Sequence, residues 1–187
     1  FIKLAAEDLM ITVTPELIHE AADAYWIALS KLTRILPGVS DLLEAIKVHH
    51  RPMYLITSSD ARLKMQEDGT FIYSPEYSEG LKRERMELLR GKGITYNGLS
   101  IGDPEDKPHS DFFEKGVKVA ERDLGQPINL QYALMVGDSF SGDLQTPKEK
   151  MGFGVVILTD SATRGCTWID EHQLVANNLG LVPEALQ

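Results

Sequence analysis

The sequence predicts an α/β protein, a parallel sheet with helices on both faces. Short continuous apolar runs at 53–56, 99–101, 133–136 and 155–158 read as strands buried on both sides. Segments with helical apolar spacing separate them, and the alternation holds from residue 38 to about residue 160 without an internal repeat. The balance of 43% hydrophobic and 25% charged residues over 187 positions is that of a globular chain with a real core. A formal net charge of −9 argues against a nucleic-acid partner, which needs clustered cations. No apolar run approaches the roughly 18 residues of a membrane span, and no secretory signal opens the chain, so no membrane partner is expected. Cys166 is the sole cysteine. An internal disulfide is therefore excluded, and a cytoplasmic location is the expected one.

Thr14-Pro15-Glu16 has the order of an N-cap, a first-turn proline and a first-turn acid. Ile18, Ala21, Ala22, Tyr25, Ala28, Leu29 and Leu32 then follow at helical spacing, so a helix is expected to about residue 34. Pro37-Gly38 breaks it, and Ser40 is the expected cap of a second helix running to about Val48. Leu42, Leu43 and Ile46 supply the buried stripe of that helix. After the strand at 53–56, residues 70–73 read as a short strand without a clear pairing signal. Further helices are expected at 78–91, 110–124 and 142–151, with Ser110 or Asp111 capping the second of these. The helical stretch before Pro37 reads as an appendage to the α/β region.

Ligands of such sheets bind beyond the carboxyl ends of the strands, which directs attention to three loops. Thr57, Ser58 and Ser59 follow the first apolar run. Their hydroxyls and backbone N–H groups can hold a phosphate at a helix start, or Ser59 or Asp60 can simply cap that helix. In IGDPEDKPHSDFF, Lys107 can pair with phosphate and carboxylates; its plain reading is an exposed lysine on a turn. In GDSFSGD, Asp138 and Asp143 share one loop and repel unless a cation lies between them. Such hard oxygen donors suit Mg²⁺, whereas the plain reading makes Asp143 a helix cap. His49, His50, His109 and His172 lack metal-ligand spacing. Tyr25 and Trp26 read as packing residues before pocket residues. No GxGxxG or GxxxxGK[ST] follows a strand, which removes the common nucleotide-binding signatures.

The order is informative: a hydroxyl at Thr57, a lysine 50 residues on, then Asp138 after 31 more and Asp143 after another 5. At these spacings the sequence resembles the haloacid dehalogenase-like (HAD) hydrolase superfamily. Thr57 in LITSSD matches its second motif, Lys107-Pro108 its third, and the GDSFSGD loop its fourth, of the form GDxxxxD. The segment LPGVSDLLEAIKVHHRPMYLITSSD also resembles the stretch that joins a helical cap to the second motif. The resemblance spans about residues 14–160. It implies a Rossmann-like three-layer α/β/α core with a mainly parallel sheet, plus part of a small helical cap. Residues 1–36 would be the partial cap, and 37–187 the core lacking its first strand.

The resemblance further implies a Mg²⁺-dependent phosphoric-monoester hydrolase that acts on a small phosphorylated metabolite through an aspartyl-phosphate. Thr57 and Lys107 would be catalytic, and Thr57, Ser58 and Lys107 would bind phosphate. Asp138 would ligate Mg²⁺, and Asp143 would support the metal or the lysine. The family's nucleophile lies in a D-x-D motif on the first strand, upstream of the cap. No D-x-D pair occurs in these 187 residues. With Phe1 as the first residue, a missing N-terminal segment is the expected explanation. The rival alignment makes residues 9–14 the first strand, with apolar residues in place of the acids. Other readings are a HAD phosphomutase or phosphonate hydrolase, and a non-catalytic phosphate- or metal-binding HAD-like protein. A receiver-type signalling domain would need its acids early and its lysine last, the reverse of this order. No oligomeric state is implied.

Overall fold

In the computed structural model, which describes residues 8–187, helix α1 (Pro15–Leu32) starts where its cap dictates: the Thr14 hydroxyl accepts the Leu17 N–H at 3.3 Å. None of its residues is fully buried, and Tyr25 and Leu32 of the apolar stripe are exposed. Strands β2 (Leu63–Met65) and β3 (Phe71–Tyr73) form an antiparallel hairpin with Leu63 opposite Tyr73. Its turn is set by Asp68, whose carboxylate accepts the N–H and hydroxyl of Thr70 at 2.9 and 2.7 Å. The pairing partner missing from the sequence reading of 70–73 is thus β2. Helix α3 spans Pro75–Gly91.

The chain divides into two compact units. One takes in the described residues up to Arg34 together with Ser59–Leu88; the other comprises Ile35–Ser58 and Leu89–Gln187. The unit boundaries fall between Arg34 and Ile35, between Ser58 and Ser59, and between Leu88 and Leu89. Positions 1–7 of the expected cap segment lie outside the described residues.

In the second unit, α2 (Val39–Val48) begins at Gly38, which has φ +75° and offers no side-chain cap. Ser40 is therefore a residue of the helix, not its cap. A Cβ at Gly38 would sit 2.0 Å from both Asn178 Oδ1 and the Gly180 nitrogen, so close approach and positive φ both require glycine. Strands β1 (Tyr54–Ser58) and β4 (Gly98–Gly102) pair in parallel, with Tyr54 opposite Gly98 and Ser58 opposite Gly102. Helix α4 (Ser110–Leu124) also starts without the expected side-chain cap, because His109 holds the cap position and Ser110 is already helical. Asp111 instead places its charge in the first turn, where the helix dipole favours it.

A second sheet has the order β5-β6-β8-β7. Strands β5 (Leu134–Gly137), β6 (Val155–Thr159) and β8 (Gln173–Ala176) are parallel, and β7 (Cys166–Asp170) runs antiparallel along the edge. The helix expected at 142–151 is present as unbroken helical backbone over 140–151, in which the wide turns Phe140–Leu144 and Pro147–Met151 flank α-helical Gln145 and Thr146. The Gln145 N–H reaches the Phe140 carbonyl and the Gly152 N–H that of Pro147, five residues back in each case.

The core alternates across β6. Ile157 packs with Leu174, Leu42 of α2 and Val182 of the short helix α5 (Val182–Ala185). Its neighbour Val156 packs with Leu144, Phe153 and Val117 of α4 on the other face. This double burial explains the unbroken apolar run at 155–158. Among the described residues, the parallel strands lie in two ladders, β1–β4 and β5–β6–β8, and no helix is long and apolar enough to cross a membrane.

Candidate functional site

Three strand ends of the second unit are tied together by polar contacts. After β4, Asp106 accepts the hydroxyl of Ser58 from the end of β1 and the Lys107 N–H at 2.7 Å. Lys107 Nζ then meets Asp143 Oδ1, from the loop after β5, at 2.5 Å. A second link lies behind it, where the Thr146 hydroxyl donates to the Pro108 carbonyl at 2.6 Å. The loops bearing Ser58, Lys107 and Asp143 are therefore one connected group. Asp106 and Thr146 complete it, and neither carried a signal in the sequence, since their partners lie 48 and 38 positions away.

Glycines make this close approach possible. A Cβ on Gly137 would fall 2.4 Å from the Cβ of Asp143, and one on Gly102 would fall 2.2 Å from the Phe112 ring. Phe112 is buried beneath the site, with Lys107 Nζ 5.9 Å from its ring centre. The other Asp143 oxygen, Oδ2, accepts the N–H groups of Asp138 and Ser139 at 3.2 and 3.0 Å. Burial alone raises the pKa of Asp143, but the hydrogen bond and charge of Lys107 outweigh it. Hydrogen bonds from Asp138 and the Ser139 N–H add to that effect, and the net pKa lies below the usual carboxylate value. Asp143 is thus a fixed anion that positions Lys107 and shapes its own loop. Asp138 remains exposed at the surface of the same loop.

Thr57 is not drawn into this group. Its hydroxyl leans on the Ser58 carbonyl at 3.4 Å, and among the described residues no hydrogen bond joins it to Lys107, Asp138 or Asp143. The helix start expected after Ser59 does not form either. Ser59 Oγ accepts the Ala61 N–H at 3.2 Å, Ala61 takes φ +47°, and the chain enters β2. A phosphate cradle at a helix N-terminus is therefore absent behind Thr57 and Ser58. Asp60 caps nothing and instead accepts Lys82 Nζ and Arg85.

Among the described residues, no group of three or more His, Cys, Asp or Glu side chains converges on a metal position. The donor chemistry still fits Mg²⁺ in one respect. Asp138 offers an exposed hard oxygen beside a fixed lysine, and Mg²⁺ typically takes only one or two carboxylates, filling its shell with water and phosphate. With both Asp143 oxygens already engaged, Asp138 is the carboxylate open to an ion. His49, His50, His109 and His172 are all exposed, as the plain reading expected.

No model of a known protein family matches the chain, and no curated protein is similar to it.

Proposed function

We propose that the chain is the larger part of a Mg²⁺-dependent phosphoric-monoester hydrolase of the HAD type, acting on a small phosphorylated metabolite. The observation that carries this reading is the contact of Lys107 with Asp143, which joins the two most distinctive motifs at the ends of two different strands. On this reading the two parallel ladders belong to one Rossmann-like three-layer core, and the α1 segment belongs to a cap. The cytoplasmic location rests on Cys166 being alone.

Each residue has a chemical task. Asp143 holds the Lys107 ammonium, whose remaining protons and charge are available to phosphoryl oxygens. Asp106 accepts the single hydroxyl proton of Ser58, so that hydroxyl can donate to a phosphoryl oxygen only after rotating away from the carboxylate. Thr57 adds a hydroxyl only after a rotation away from the Ser58 carbonyl. Asp138 would hold Mg²⁺, which supplies charge neutralisation when bound. None of these groups is placed as a nucleophile on this reading, since Asp143 is committed to Lys107 and its backbone cradle, Asp106 to Ser58 and the Lys107 N–H, and Asp138 would be taken up by the metal. A carboxylate from an added strand would supply attack and proton transfer. Strands β1 and β5 each ladder with one neighbour only among the described residues, which suits that addition. A non-catalytic phosphate- and metal-binding role is the second reading, favoured by the same want of a nucleophile.

Calorimetric titration with Mg²⁺ tests the metal assignment: Asp138→Ala should weaken binding at least severalfold, and equal binding by both proteins would remove it. Hydrolysis of p-nitrophenyl phosphate tests the chemistry. The 187-residue chain should be inactive. A longer product bearing D-x-D upstream should be active, and Lys107→Ala should lower its turnover by orders of magnitude. Turnover by the short chain would overturn the mechanism.

A further inference from the structure

The first unit carries a second charged cluster, which the phosphatase reading leaves unused. Three cations, Arg62, Lys82 and Arg85, gather on two carboxylates. Asp60 Oδ1 accepts Lys82 Nζ at 3.1 Å and Arg85 Nη2 at 2.7 Å, while Arg62 pairs with Asp23. The Arg62 backbone is clamped by Ser78, whose hydroxyl accepts its N–H at 2.8 Å and donates to its carbonyl at 3.2 Å. Asp60, Arg62 and Lys82 are buried, and the Arg85 guanidinium lies 4.1 Å from the ring centre of Trp26.

A network that serves packing alone would use its donors. This one leaves Nε of Arg62 and Nε of Arg85 buried without a hydrogen-bond partner. Buried polar groups are nearly always paired, so two idle donors on two neighbouring guanidinium groups are a specific demand for an acceptor. Burial foremost lowers the pKa of Arg62; Tyr77 opposes that, and the like charge of Arg85 reinforces it, consistent with two cations facing each other. An oxyanion answers that demand, because it brings several acceptor oxygens to a planar, charged fork.

We propose that the first unit binds a small oxyanion, carboxylate or phosphate, through the guanidinium groups of Arg62 and Arg85, with Trp26 as the wall behind Arg85. The site uses neither Lys107 nor Asp138 and stands apart from the hydrolase reading.

Trp26 supplies the readout in a Trp168→Phe background, which leaves it the only tryptophan. Inorganic phosphate and acetate are titrated separately. A saturable fluorescence change is expected with at least one, and the tighter of the two identifies the group recognised. Arg62→Gln and Arg85→Gln should each weaken that binding tenfold or more, and Lys107→Ala should leave it unchanged. Arg62→Lys keeps the charge but loses the fork, so its affinity should fall severalfold, and the anion's upward shift of its melting temperature should shrink likewise. Equal affinity in the arginine variants, no saturable change with either anion, or loss of the signal in Lys107→Ala would each overturn the site.

Discussion

Both units build a lysine–aspartate pair, and their surroundings give the two pairs opposite characters. Lys82 and Asp60 meet at 3.1 Å with side chains only 8% and 2% exposed. Lys107 and Asp143 meet at 2.5 Å with 31% and 11% exposed. Around the first pair stand two more cations, Arg62 and Arg85; around the second stand two more carboxylates, Asp106 and Asp138. The same contact thus stands among further cations in one place and among further carboxylates in the other. Burial separates them further. Removing one member of a buried pair strands the other, whereas a half-open pair can be re-solvated or can share its charge with an arriving ion.

The sharpest way to break this contrast is Asp60→Ala. It leaves Lys82 and Arg85 without their shared carboxylate, and urea denaturation should show a loss of about 3–5 kcal/mol. A loss below about 1 kcal/mol would make this pair equivalent to an exposed one. Gly137→Ala acts on the other site by volume instead of charge. Its methyl group would meet the Asp143 Cβ, and overpacking of this kind costs about 1–3 kcal/mol. The same titration should also show weakened Mg²⁺ binding, because the loop that bears Asp138 must shift.

The smallest effect expected is electrostatic. The pKa of Asp143 is lowered in the folded protein, so the stability it contributes is present above its unfolded value of about 3.9 and is lost as pH falls through the folded value. For a partly exposed pair this amounts to about 1 kcal/mol or less. Comparing acid denaturation of the parent with that of Lys107→Met should reveal a shallower acid-side fall in the variant. Superimposable profiles would remove Lys107 as the cause of the lowered pKa.

Much of this was legible in the sequence where a local signal existed. The Thr14 cap and the unbroken apolar run of β6 required no tertiary knowledge, because each is set by neighbouring residues or by burial on both faces. Lys107, Asp138 and Asp143 were legible as strand-end polar residues, and the structure brings them into one group. Ser40 and Ser110 misled because a good cap residue does not cap from inside the helix, and Gly38 and His109 took the caps. The 142–151 helix was legible from its pattern, but its wide turns at Phe140–Leu144 and Pro147–Met151 were not. Asp106 and the cation cluster on Asp60 were invisible, since their meaning depends on partners 22 to 48 positions away.

The outer strands of the second unit's ladders, β1, β4, β5 and β7, also differ in how well they are guarded against a neighbouring strand. The outer edge, β7, is blunted: its register shifts between Trp168 and Asp170, and Asp170 is held by Lys148. An irregular, charged margin of this kind discourages a neighbouring strand from adding on. Strands β1 and β5 read YLITS and LMVG, with no charge, no proline and no bulge, and each is laddered on one side only among the described residues. A regular, uncharged margin of this kind is open to a further strand, so how such margins are covered bears on self-association alongside the repulsion of the net charge of −9.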